Sequence, residues 1–229
     1  MIKILKELFN VFFPKYCVTC GDEIDQNRAL ICLDCLTGLP LTDFSSWPKN
    51  RLEVSFKGRI RIEEATSLLY FHKKGLVQKL IHQLKYHGNQ EIGTFIGAWL
   101  SEEMMLSNRF KTIDFIIPVP LHPDKEKQRG YNQVTTFALS LSKGLNIPMR
   151  EDVLIKVSGT GTQTLRNRMQ RNKSNENHFT IRQSQDLIHK HILVVDDIIT
   201  SGATMEMCCG SFSQIEGLKI SLACMAYTP

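Results

Sequence analysis

No apolar run in this 229-residue chain approaches the ~20 residues that carry a helix across a bilayer, so no membrane span is expected. The apolar opening stretch, residues 1–13, is broken by Lys3, Lys6, Glu7 and Asn10. Pro14 stops it and no small-residue cleavage site follows, so it predicts a short amphipathic helix rather than a secretion signal. Two phosphate-binding signatures are also missing. Without Gly-x4-Gly-Lys-[Ser/Thr] there is no Walker loop, and without Gly-x-Gly-x-x-Gly after a strand there is no dinucleotide fingerprint. No low-complexity tract occurs, and the only internal repeat is a paired Cys-x-x-Cys.

The seven cysteines are an odd number, and their placement argues against a secreted disulfide framework. Cys17, Cys20, Cys32 and Cys35 form two Cys-x-x-Cys pairs near the start, while Cys208, Cys209 and Cys224 sit in apolar surroundings near the end and read as buried free thiols. A reducing compartment, the cytoplasm, follows. Two knuckles eleven residues apart can direct four thiolates at one centre, which suits a tetrahedral Zn²⁺. Gly21 eases the turn after the first pair. Four thiolates leave no open position for water, so the expected zinc role is structural, and metal binding would stabilise a segment too short to have its own core. Redox chemistry fits less well, because a redox Cys-x-x-Cys normally occurs once, at a helix start. His189 and His191 lack companion ligands and read as ordinary residues.

The net charge of +5 is unevenly spread. Residues 109–173 hold 12 Lys/Arg against 5 Asp/Glu, a surplus that favours anionic partners, whether small phosphates or nucleic acid, unless it is only a solvated face. After a Gly/Pro/Ser-rich connector at residues 41–61 the chain alternates. Strands are expected at 66–71, 113–117, 178–182, 192–195 and 220–226. Helices are expected where apolar residues recur at helical spacing, from Leu76 and from Ile92, at 133–145 with Gly144 as its stop, and at 205–215. The pattern predicts an α/β fold with a parallel sheet covered on both faces, and a division into 1–40, 41–61 and 62–229.

The stretch 191–204 is the most informative. An apolar, β-branched strand delivers the chain to Asp196 and Asp197 at its carboxyl edge. Thr200, Ser201, Gly202, Ala203 and Thr204 then turn into a helix, the usual ligand position of an open α/β sheet. Amides at a helix start receive a phosphate, and Gly202 permits close backbone approach. Two carboxylates beside a phosphate make sense if they accept from sugar hydroxyls or hold Mg²⁺, so the pattern describes a ribose 5-phosphate.

These residues resemble the 5-phosphoribosyl-1-pyrophosphate (PRPP) signature of type I phosphoribosyltransferases. The resemblance implies that Asp196 and Asp197 meet the ribose and that residues 200–204 meet the 5-phosphate, with Mg²⁺ accompanying PRPP. Further segments resemble the ComF branch: Leu84-Lys85-Tyr86-His87-Gly88, Pro118-Val119-Pro120-Leu121-His122, Arg129-Gly130-Tyr131-Asn132-Gln133, and Thr160-Gly161-Thr162-Gln163 followed by Arg168 and Arg171. They imply pyrophosphate contact by Lys85 and Arg129, and a closing loop that carries Gln163 and Arg171. The chain departs from the pattern at Ser174, where an Asn is expected, and at Ser201, where a Thr is usual. The resemblance implies phosphoribosyl transfer to an unidentified nucleophile, or PRPP sensing, linked to DNA uptake with competence proteins. The rival expectation is a non-catalytic single-stranded DNA module. Aromatic residues for base stacking are sparse in the basic stretch (Phe110, Phe115, Tyr131, Phe137).

Overall fold

The computed structural model describes residues 14–25, 30–157 and 178–229. The expected helix at 1–13 and the loop residues Gln163 and Arg171 lie outside the described residues.

The chain opens with a two-stranded antiparallel hairpin, β1 (Lys15–Tyr16) and β2 (Glu23–Ile24), followed by helix α1 (Leu33–Thr37). Cys17, Ile24, Leu30, Ile31, Cys35 and Leu39 are buried in the same apolar cluster as helix α3 (Leu76–Tyr86), so the cysteine segment is docked on the main body. Residues 41–61 include α2 (Arg51–Phe56), whose Leu52 and Phe56 are fully buried. Asn50 caps this helix, accepting from Glu53 N–H at 3.1 Å. Arg109 pairs with both Glu53 and Glu64 and donates to the carbonyls of Phe44 and Trp47, which ties the segment down.

The central sheet is parallel, in the order β3-β8-β7-β4, built from β3 (Ala65–Tyr70), β4 (Phe115–Pro118), β7 (His191–Ile199) and β8 (Lys219–Tyr227). Ile192, Leu193, Val194 and Val195 are all fully buried, as a strand covered on both faces requires. One face carries α3, with Val77, Leu80, Ile81 and Leu84 inward, together with α4 (Glu91–Leu106) and α6 (Gln133–Leu145). The other face carries α2 and α7 (Ala203–Ser211). A short exposed helix, α5 (Pro123–Arg129), leads into α6, and β5 (Leu154–Val157) pairs antiparallel with β6 (His178–Ile181). Cys208, Cys209 and Cys224 are buried and unbridged, as expected. No helix of the described residues is long and apolar enough to cross a membrane.

Two expectations need correction. Gly144 does not stop α6; the helix runs to Leu145 and turns at Asn146, which takes the left-handed conformation. Gly144 instead lets α6 approach α4, since a Cβ there would lie 2.0 Å from Ser101 Oγ. Strand β7 does not end before the acids either. It runs to Ile199, pairing Asp196 with Cys224 and Ile198 with Ala226, so both carboxylates lie inside the strand.

Candidate functional site

Because successive strand residues point to opposite faces, Asp196 and Asp197 are sorted to different environments. Asp197 faces α3 and α6 and is buried. Its Oδ2 accepts from Lys85 Nζ at 2.8 Å and Gln133 Nε2 at 2.7 Å, and its Oδ1 accepts from Ile198 N–H at 2.6 Å. Gln133 Oε1 in turn accepts from Arg129 Nη1. The Arg129 guanidinium lies over the Tyr86 ring, 5.4 Å from its centroid. One network therefore runs Arg129–Gln133–Asp197–Lys85. Lys85 and Arg129 share the wall of a 340 Å³ pocket with Tyr86, Lys125, Gln128 and Tyr131.

Asp196 faces the α7 side and is half-buried; its Oδ1 accepts from Asp197 N–H at 2.8 Å. Burial, and then the charge of Asp197, hold its carboxyl well above the usual range, with Lys85 and Lys156 offsetting part of the effect. Burial also lowers Lys156, with Lys125 adding repulsion.

Directly after β7, an open depression is lined by Asp196 and residues 198–205. Gly202 is the N-cap of α7 with φ +80°, and no side chain caps the helix there. Ser201 Oγ reaches Ala203 N–H only at 3.5 Å. From outside, Arg59 Nη2 donates to the Ser201 carbonyl at 2.7 Å and Arg59 Nε pairs with Glu206 at 2.5 Å. The Phe56 ring closes off the Gly202 Cα, where a Cβ would come within 2.6 Å of Cε1. The strand, the acids and an uncapped helix start with its dipole meet at the carboxyl edge of the sheet, where backbone amides could receive an anion.

The four thiols of Cys17, Cys20, Cys32 and Cys35 lie within 4.8 Å of one another, and the Cys20 and Cys32 sulfurs are 3.7 Å apart. Zinc–thiolate bonds of about 2.3 Å imply tetrahedron edges of about 3.8 Å, so the donor set and its spacing fit a structural zinc.

Residues 135–229 match the phosphoribosyl transferase domain family. Competence protein F of Haemophilus influenzae is 27% identical over 197 residues, covering 84% of this chain and 76% of that protein. Competence protein ComFC of Streptococcus pneumoniae is 26% identical over 189 residues, covering 82% and 76%. The chain is a homologue of the ComF-type proteins and carries a phosphoribosyl transferase domain. The DNA utilization protein YhgH of Escherichia coli O157:H7 is 30% identical over 129 residues, a match that spans 55% of this chain and 56% of that protein.

The structure brings Lys85, Arg129 and Asp197 together, and separately sets Asp196 beside residues 200–204. Lys125, Arg59 and Lys156 went unmarked in the sequence, and Gln133 stood in a motif without an assigned role. Gln133 follows the capping Asn132, whose Oδ1 accepts from Val134 N–H at 3.1 Å, and this cap turns the first helical residue back onto the strand end. Lys125 lies on α5, which buries no residue and so leaves no apolar periodicity to read. Arg59 sits in the connector, and Lys156 on a short strand within the basic stretch, one of twelve cations there with nothing in the pattern to set it apart.

Proposed function

We propose that this ComF-type protein binds PRPP at the carboxyl edge of β7. The observation that carries this reading is the uncapped, left-handed Gly202 at the start of α7, directly after a strand bearing Asp196 and Asp197. Residues 200–204 would receive the 5-phosphate on backbone amides and hydroxyls. The two acids would accept from ribose hydroxyls, and Lys85, Arg129 and Lys125 would meet the pyrophosphate. The acids leave the strand on opposite faces, so they flank a sugar better than they chelate one ion. The oxygen-rich pyrophosphate suits Mg²⁺, which would supply charge neutralisation there. If a nucleophile is delivered to C1 of the ribose, its lone pair forms the new bond. The C1–O bond to pyrophosphate breaks with its electron pair on the leaving oxygen, and Lys85 and Arg129 stabilise that charge. Titration calorimetry with PRPP tests the reading. Saturable binding that requires Mg²⁺ and is lost in Asp196→Asn/Asp197→Asn supports it; equal affinity in the double variant rejects it.

A second reading, handling of single-stranded DNA, draws support from the outer face of α3. The His82 ring lies 4.8 Å from Tyr86 and 5.3 Å from His87, tilted against both, and a 410 Å³ groove carrying Lys74, Gln78 and Lys79 continues towards the cysteine segment. Cations interleaved with rings suit a single strand. The names of the relatives, competence and DNA utilization, agree with a role in DNA uptake. Retention of an oligonucleotide that falls steeply with salt, and falls further in Lys79→Ala/His82→Ala, would separate this activity from PRPP binding.

A further inference from the structure

A groove of about 650 Å³ opens at the amino edge of the sheet, where β8 begins, almost twice the volume of the pocket beside Lys85. Its wall carries Arg59, Arg61 and Lys219, and its floor Ile60, Phe212 and Ile220. Glu63 is the one carboxylate among its lining residues. Arg61 and Lys219 make no side-chain hydrogen bond or ion pair with any described residue, so two cations stand over an apolar floor without a direct partner, and with Arg59 they outnumber the single carboxylate three to one. The volume lies in the range of small-molecule sites. An anion with a flat apolar body satisfies both surfaces at once, whereas a bare inorganic anion would leave the floor wet.

The groove also shares a wall with the phosphate loop. A guanidinium has five N–H donors. Arg59 directs one to the Ser201 carbonyl, one to Glu206 and one to the Ser55 carbonyl, which leaves two for the groove. Phe56, three residues earlier, abuts Gly202. Segment 56–61 therefore touches the loop on one side and lines the groove on the other.

We propose that this groove is a second ligand site for a small organic anion with an apolar body, coupled to the phosphate loop through Arg59. Occupancy draws on the same guanidinium that fixes Ser201, so the two sites read each other's state. The coupling half rests on residues 200–204 being the 5-phosphate loop.

The probe is 1-anilinonaphthalene-8-sulfonate, an aromatic sulfonate whose fluorescence rises in apolar surroundings, titrated into the full chain. One saturable site is expected. Affinity should fall about tenfold or more in Arg61→Glu/Lys219→Glu, from loss of attraction and added repulsion, and should stay unchanged in Arg129→Ala. Saturating PRPP with Mg²⁺ should shift the dye affinity about fivefold, and the dye should shift PRPP affinity by the same factor. Absence of a saturable site, or an affinity indifferent to the charge reversal, overturns the site. A charge-sensitive dye site unmoved by PRPP that calorimetry shows to be bound overturns the coupling. If PRPP itself fails to bind, the 5-phosphate reading falls instead, and the charge-reversal arm still decides the groove.

Discussion

Lys85 Nζ stands 2.8 Å from Asp197 Oδ2, with both side chains largely withdrawn from water. With Gln133 and Ile198 N–H also engaged, the protein fills three of the roughly four lone-pair sites of the Asp197 carboxylate. Loss of the ammonium alone leaves a buried charge underpaired. Lys85→Met should therefore lower the unfolding free energy by about 3 kcal/mol, measured in urea. Adding Asp197→Asn should restore part of that stability but none of the PRPP affinity. Full stability in Lys85→Met alone would show that the pair is not a structural one.

Asp196 is held protonated more firmly in the folded chain than in the unfolded one. Its folded pKa is raised by burial and by Asp197, so its contribution is full below the unfolded value of about 3.9 and is lost as pH rises through the folded value. Asp196→Asn removes that loss. Its melting temperature should exceed that of the unmodified protein near neutral and alkaline pH, and the gap should close as pH falls towards about 4. PRPP affinity should drop at the same time, by about tenfold or more. A gap that does not change with pH would mean that the carboxyl is not perturbed.

Two glycines of α7 and its cap should respond with opposite sign. Gly202→Ala places a methyl against the Phe56 ring at φ +80° and should cost about 2 kcal/mol or more. Gly210→Ala meets open space inside a helix and should stabilise by about 0.5 kcal/mol. Chemical denaturation of the two variants makes the comparison. Equal effects would remove the argument for a constrained cap.

The four thiols predict one zinc per chain in protein purified under reducing conditions, read by elemental analysis. Chelation should lower the melting temperature and expose residues 14–39 to protease, because Cys17 and Cys35 are buried beside α3. A metal content near zero in folded protein would reject the zinc assignment.

The sequence made the sheet and the turn that follows β7 legible where chemistry repeats. Ile192 to Val195 announce a doubly covered strand, and Thr200 to Thr204 announce a turn into a helix. The strand's passage through Asp196 and Asp197 was hidden, because two charges interrupt the apolar run that marks a buried strand, and only the pairing with Cys224 and Ala226 shows it continuing. Gly144 reads as a stop locally but is a contact point, since its neighbour Ser101 is 43 positions away. The network through Gln133 depends on a cap that aims one amide, a tertiary fact with no periodic trace. Arg59 joins the loop from 142 positions earlier.

Alternation along β7 makes the division of labour between the acids a matter of parity. A one-residue deletion anywhere from Ile192 to Val195 would swap their surroundings, turning the position now beside Lys85 towards α7 and its neighbour into the lysine's reach. Two-residue changes would keep each acid on its side and shift only how far it stands from the loop. A change of length in this strand thus keeps the acids' separate surroundings only in even steps, a rule that no single side chain imposes.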